Sequence, residues 1–208
     1  MPFSRAEALA WLETEHPEAA AVVRETDGIG HEQAPVEQRY SYVALFEGLI
    51  RELEGRRRVR HPALGLLWLA LGRFQAEVFQ DEAARKSFER AISVTDRSAG
   101  RGGLLAAEAH ERLGEHLARQ PELEGARRAF ERAVVLFEKN LGPEHDRVGE
   151  ALWSLGAVRR AEWTLPAAIR DYERVQAIFT QTRGSDHSDL DLVVRSLEAL
   201  RKELAEEG

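Results

Sequence analysis

Apolar residues along this chain recur at intervals of three and four, the period of an α-helix, and no stretch alternates Val, Ile and Thr at period two. The clearest stripe is Leu190, Val193, Leu197, Leu200 and Leu204, with Asp191, Arg195, Glu198 and Lys202 as polar cover. Helix breakers divide the rest. Pro62, Pro121 and Pro166 stand at or near helix starts, where a missing N–H costs nothing, and Gly100, Gly102, Gly103, Gly142 and Gly184 fall between helix pairs. The pattern predicts helices over about 62–74, 81–95, 104–119, 122–140, 146–162, 166–182 and 188–206. Upstream, Ser4-Arg5-Ala6-Glu7 is a capping box for a helix carrying Leu9, Trp11 and Leu12. That helix breaks at His16-Pro17; a short one follows to about Glu25, and another spans Pro35 to Glu54.

The helices repeat. Leu71-Gly72, Leu113-Gly114 and Leu155-Gly156 are 42 residues apart, as are Ala84, Ala126 and Ala168 and the triplets that begin at Phe88, Phe130 and Tyr172. A fixed period of this size signals a solenoid of helix pairs, each burying its apolar face against its neighbours. The small Gly permits close helix approach, and the aromatic, one turn beyond the Ala, is expected to fill the gap before the next unit. Phe46-Glu47 continues the register backwards. Leu197 continues it forwards, where Glu198 replaces the Gly, so the last helix reads as a cap. The expected organisation is a divergent helical region over 1–60, three units over about 61–102, 103–144 and 145–187, and a capping helix over 188–208.

Composition narrows the function. A net charge of −7 over 208 residues disfavours nucleic acid, whose binders need a basic face to release counterions. The absence of cysteine excludes disulfides, thiolate metal sites and a cysteine nucleophile. The N-terminus lacks the basic start and apolar segment of a signal peptide, and no run approaches the roughly 20 apolar residues that span a bilayer, so a cytoplasmic protein with no membrane contact is expected.

These spacings resemble the tetratricopeptide repeat (TPR) family. Trp68, Leu71, Gly72, Ala84, Phe88 and Ala91 match its pattern in the first unit; Leu113, Gly114, Ala126, Phe130 and Ala133 in the second, where His110 departs; and Leu152, Leu155, Gly156, Ala168 and Tyr172 in the third, where Val175 replaces the small residue. The long period and the connectors 141–145 and 183–187 are similar to the kinesin-light-chain-like branch, which in bacteria is frequent in multidomain regulators with a signal-transduction ATPase. The stretch 10–17 is similar to the segment before the repeats in some of those regulators. The resemblance implies an all-α, right-handed solenoid of antiparallel helix pairs with no catalytic activity and no cofactor. It also implies a protein or peptide partner held in a concave groove lined by the first helix of each unit, as in an adaptor or sensor.

The register places Leu66, Leu69 and Arg73 on the groove side of the first unit, and Glu108, Glu111, Arg112, Glu115 and Arg119 on that of the second. Glu150, Trp153, Ala157 and Arg160 follow in the third, and Arg195 on the cap. Trp153 is either a binding anchor or a ring packed on the next helix. A groove without Asn, and with Lys202 as its one candidate Lys, does not match the carboxylate clamp of TPR chaperone adaptors. The glutamates read as alternating charge on a wet helix face, with no nucleophile or metal beside them.

Other chemistry is weaker. His61, His145 and His187 occupy the same place in their connectors, with Gly103 in the fourth, at about 10 Å per unit, too far to share one metal ion, so helix entry is their expected role. His110 and His116, six apart, lie on different helix faces and are no zinc-protease pair. The basic run Arg56 to Arg60 reads as a solvated turn, and Gly100 to Gly103 as a linker that lacks the Lys-Ser/Thr ending of a phosphate loop. The spacing of the 190–204 stripe also suits a coiled coil, which makes a homodimer through the last helix or the convex face the alternative to a foreign partner.

Overall fold

The computed structural model describes residues 5–27, 35–55, 63–98 and 103–206. Ten helices and no strand are found among them: α1 (Arg5–Glu15), α2 (Pro17–Asp27), α3 (Val36–Gly55), α4 (Ala63–Glu77), α5 (Asp81–Ser98), α6 (Leu104–Arg119), α7 (Leu123–Leu141), α8 (Asp146–Ala161), α9 (Leu165–Arg183) and α10 (Ser188–Glu206). The chain forms two compact units, residues 1–113 and 114–208, divided within α6. Ser4, the run Arg56 to Arg60, His61, Pro62 and Gly100 to Gly102 lie outside the described residues, as do positions 28–34.

In the first unit, α4 is the centre. Eleven of its fifteen residues are buried, because α1, α3 and α5 all pack against it. Leu12 of α1, Phe46 and Ile50 of α3, Leu67 and Phe74 of α4, and Phe88 of α5 share one core, which the start of α6 joins through Leu105 and Ala109. Phe46 stacks on Phe74 at 5.8 Å, and Tyr42 tilts against the same ring at 5.0 Å.

In the second unit, α7, α8, α9 and α10 pack in sequence order. The apolar stripe of α10 is spent here: Leu190, Val193, Leu197 and Leu200 are buried, and α10 packs on α9. Four of the five stripe residues are therefore core, and Leu204 is exposed.

One local device repeats. A Cβ built on Gly72 would stand 2.7 Å from the Phe88 ring, on Gly114 3.0 Å from Phe130, and on Gly156 2.8 Å from Tyr172. Each aromatic thus lies on the glycine of its own helix pair, where the expectation had it filling the gap towards the next. The missing side chain is what lets the two backbones approach. Gly149 does the same for Phe179, with a virtual Cβ at 2.5 Å.

The two connectors of the second unit share a build. Gly142 (φ 95°, ψ 154°) and Gly184 (φ 86°, ψ 160°) follow the helix ends with positive-φ, extended backbone that only glycine adopts readily. Three residues on, His145 and His187 each accept a backbone N–H on Nδ1, from Arg147 and Asp189 at 3.2 Å. This is the helix-entry role expected of these histidines.

Candidate protein-interaction surface

The predicted groove residues fall into three groups. Leu66 and Leu69 are buried, not open: α1 and α3 join α5 around α4, so the first unit leaves no exposed apolar face at these positions. This corrects the expectation that Leu69 faces a partner. Glu111 is also buried, at 5 % exposure, and engaged by neighbours, since a carboxylate taken from water requires partners. Arg73, Glu108, Arg112 and Glu115 are half-buried, and each has an interaction within the chain. Arg119, Arg160 and Arg195 are exposed.

Trp153 is half-buried and works in the packing of α8 on α9. Its ring meets Phe179 edge-on, with centroids 5.8 Å apart at 68°. Burial raises the Tyr172 hydroxyl pKa. Trp153, Ala157 and Arg160 stand at i, i+4 and i+7, one face of α8. Ala157 is exposed, and Arg160 pairs with Glu203 of α10. At the matching positions of α10, Arg195 is exposed and Ala199 half-buried, while Lys202 meets Glu206 at 3.7 Å. The face is apolar at Trp153, Ala157 and Ala199, with Arg195 at one end and the ion pairs Arg160–Glu203 and Lys202–Glu206 at the other.

Most other charges of this unit are tied down. Arg183, at the end of α9, holds Asp146 at 2.6 and 2.7 Å, Glu150 at 2.8 Å and Asp189, and lies 3.8 Å over the Phe179 ring. The Arg183 hydrogen bonds hold the Asp146 carboxyl below its usual range, and the same contacts push the guanidinium pKa up. A second network runs Glu162, Arg127, Glu131, Arg159, Asp171 across α7, α8 and α9. Among the described residues no three His, Cys, Asp or Glu side chains converge to hold a metal, and no helix is long and apolar enough to cross a membrane.

A feature that the register did not single out lies at the turns inside the helix pairs. Phe79 and Trp163 both adopt left-handed backbone, φ 60° and 58°, and are exposed at 88 % and 67 %. Each closes a helix: Gln80 N–H donates to Gln75 O at 2.8 Å, and Thr164 N–H to Arg159 O at 2.9 Å. Glycine usually fills this site, and a residue with a Cβ there costs about 1–2 kcal/mol. The signal was present in the sequence, since Phe79 and Trp163 are two repeat lengths apart.

Around Trp163 the second unit opens a cavity of about 370 Å³, lined by Ala157, Arg160, Ala161, Trp163 and Glu203. Two alanine methyls and an indole give it apolar walls, and the Arg160–Glu203 pair brings charges of both signs to its lining.

No family model and no curated protein matches the sequence. Solved structures match in fold. BtubC (BKLC) from P. vanneervenii superposes with a TM-score of 0.75 at 16 % identity, over 96 % of this chain and 80 % of that one. A putative kinesin light chain of Podosopora anserina with nearly identical TPR-like repeats gives 0.71 at 17 % identity, over 95 % of this chain and 89 % of that one. A point variant of that same protein gives an equal score and identity, over 96 % and 89 %. The chain accordingly has an all-α, TPR-like helical-repeat fold.

Proposed function

We propose that this chain is a non-catalytic interaction module. It binds a peptide or helix of a partner protein and serves as an adaptor or as the sensor part of a bacterial regulatory system in the cytoplasm. The observation that carries this reading is the face of α8 and α10. An exposed Ala157 lies between Trp153 and Arg160 on α8 and Arg195 is exposed on α10, while Arg159, Arg183 and Arg201 pair internally across the α8–α9 and α9–α10 seams. Such a face combines a small apolar floor with cationic groups, the mix from which partner contacts gain both burial and orientation. Helices α8, α9 and α10 pack in sequence order, so the face stands on a rigid base. The predicted division into a leading region, three units and a cap belongs to the same reading, with the second unit supplying the working surface.

The test compares affinity capture by the wild-type chain and by the double variant Ala157→Arg plus Arg195→Glu, after circular dichroism shows both folded. Both sites are exposed, so the variant leaves the core intact. A partner retained only by the wild type supports this face as the binding surface. Equal capture by both proteins, or capture by neither, rejects it.

A further inference from the structure

We infer that the Trp163 corner of the second unit is a self-complementary docking site for a second copy of this chain. This goes beyond the binding of a foreign partner and shares Ala157 and Arg160 with the face proposed for it. The corner carries a knob and a hole, and the knob is also one wall of the hole. The knob is the Trp163 indole, two-thirds exposed on a turn whose left-handed backbone favours glycine. The turn is held by Trp163 N–H to Arg160 O at 3.0 Å and by Thr164, whose N–H and hydroxyl both donate to Arg159 O, at 2.9 and 3.0 Å. The indole is thereby presented on a fixed mount. The hole is the adjoining 370 Å³ cavity, whose Ala157 and Ala161 walls are both exposed.

A surface bearing both halves of a contact is what a two-fold, isologous interface requires: the same patch meets itself, each knob entering the other copy's hole. Charge points the same way. The cavity lining holds one cation and one anion, Arg160 and Glu203, already within ion-pair reach of each other across α8 and α10. On docking, Arg160 of one copy meets Glu203 of the other, and no unpaired charge is buried. A foreign partner needs only one of the two shapes and would leave the other wet. Two-fold docking withdraws both indoles and all four alanine methyls from water, which offsets the strain of a tryptophan at a glycine position.

The experiment is sedimentation velocity of the full chain up to about 0.5 mM, the range in which small interfaces dissociate. The wild type is expected to form a concentration-dependent dimer. Trp163→Gly removes the knob from both copies at a position whose backbone suits glycine, and weakens the dimer about a thousandfold, the scale of two lost aromatic anchors. Ala161→Arg blocks the hole and leaves the knob, with a similar loss. Mixing the two variants pairs an intact indole with a hole that keeps its alanine walls but lacks its indole wall, so the mixture is expected to associate more tightly than either variant alone and more weakly than wild type. A wild type that stays monomeric throughout, a Trp163→Gly variant as dimeric as wild type, or a mixture no tighter than its components overturns the inference. Circular dichroism of each variant confirms that loss of the dimer is not loss of the fold.

Discussion

Arg159 and Asp171 join α8 to α9 through one guanidinium nitrogen that reaches both carboxylate oxygens at 2.7 Å. Two repeat lengths earlier, the same two positions hold Gln75 and Ser87, whose hydroxyl donates to the Gln75 side-chain oxygen at 2.6 Å. In the intervening pair of helices they are Leu117 and Ala129, both buried. One place in the fold is thus filled in turn by a hydrogen-bonded, an apolar and an ionic pair. What it does not tolerate is half of a pair, because a buried polar group left alone bears its full desolvation cost.

The apolar solution in the chain itself supplies the test. Asp171 is 7 % exposed, and burial raises its carboxyl pKa against the pull of Arg159. Arg159→Leu alone strands that carboxylate and is expected to destabilise the protein by about 3 kcal/mol in urea unfolding. Adding Asp171→Ala, which copies Leu117 and Ala129, should recover most of the loss, to within about 1 kcal/mol of wild type. If the double variant is as unstable as the single one, the positions are not interchangeable and the pairing argument fails.

Much of the fold was legible because helical periodicity and the repeat constrained each other. The helix predicted over 104–119 is α6 to the residue, and the cap over 188–206 is α10. Positions that depend on a neighbour outside the repeat were not legible. Leu66 and Leu69 have the register of an open face, yet α1 and α3 join α5 around the helix that carries them, and no periodicity states where a leading helix will dock. Trp153 shows a second limit: spacing left it either a binding anchor or a packed ring, and only coordinates show that its ring leans on Phe179. Trp163 shows a third. An exposed aromatic in left-handed backbone contradicts both burial and turn preferences, so sequence rules pass over the residue that breaks them.

The two carboxylates at the α8–α9 seam should titrate in opposite directions. Hydrogen bonds from Arg183 lower the Asp146 pKa in the folded protein, so its contribution is complete above the unfolded value and is lost as pH falls through the depressed folded one. Burial raises that of Asp171, so its contribution is complete below the unfolded value and is lost as pH rises through the elevated folded one. Melting temperatures followed downward from about pH 7 should show Asp146→Asn flattening the acid limb below the usual carboxylate range, near pH 4. Asp171→Asn should flatten the region just above that range. The opposite assignment, or parallel curves for both variants, contradicts the distinct roles given to Arg183 and to burial.

Two helix glycines should answer the same substitution with opposite signs. Alanine at an open helix position gains about 0.5–1 kcal/mol over glycine by restricting the unfolded chain. At Gly48, inside α3, an added Cβ meets nothing within 4 Å, so Gly48→Ala should stabilise by about that amount. At Gly149, inside α8, the same atom would stand 2.5 Å from one Phe179 ring carbon and 2.9 Å from another, with Ile178 at 3.2 Å. Phe179 has little room to withdraw, since it is fully buried with Trp153 on its edge and Arg183 over its face. Overpacking of this kind costs about 1–3 kcal/mol and outweighs the propensity gain, so Gly149→Ala should destabilise by about 1–2 kcal/mol net. Urea unfolding of the two variants beside wild type reads both signs in one experiment. A Gly149→Ala protein more stable than wild type would mean that the α8–α9 seam yields to a methyl group, and that its glycines do not set how closely the two helices pack.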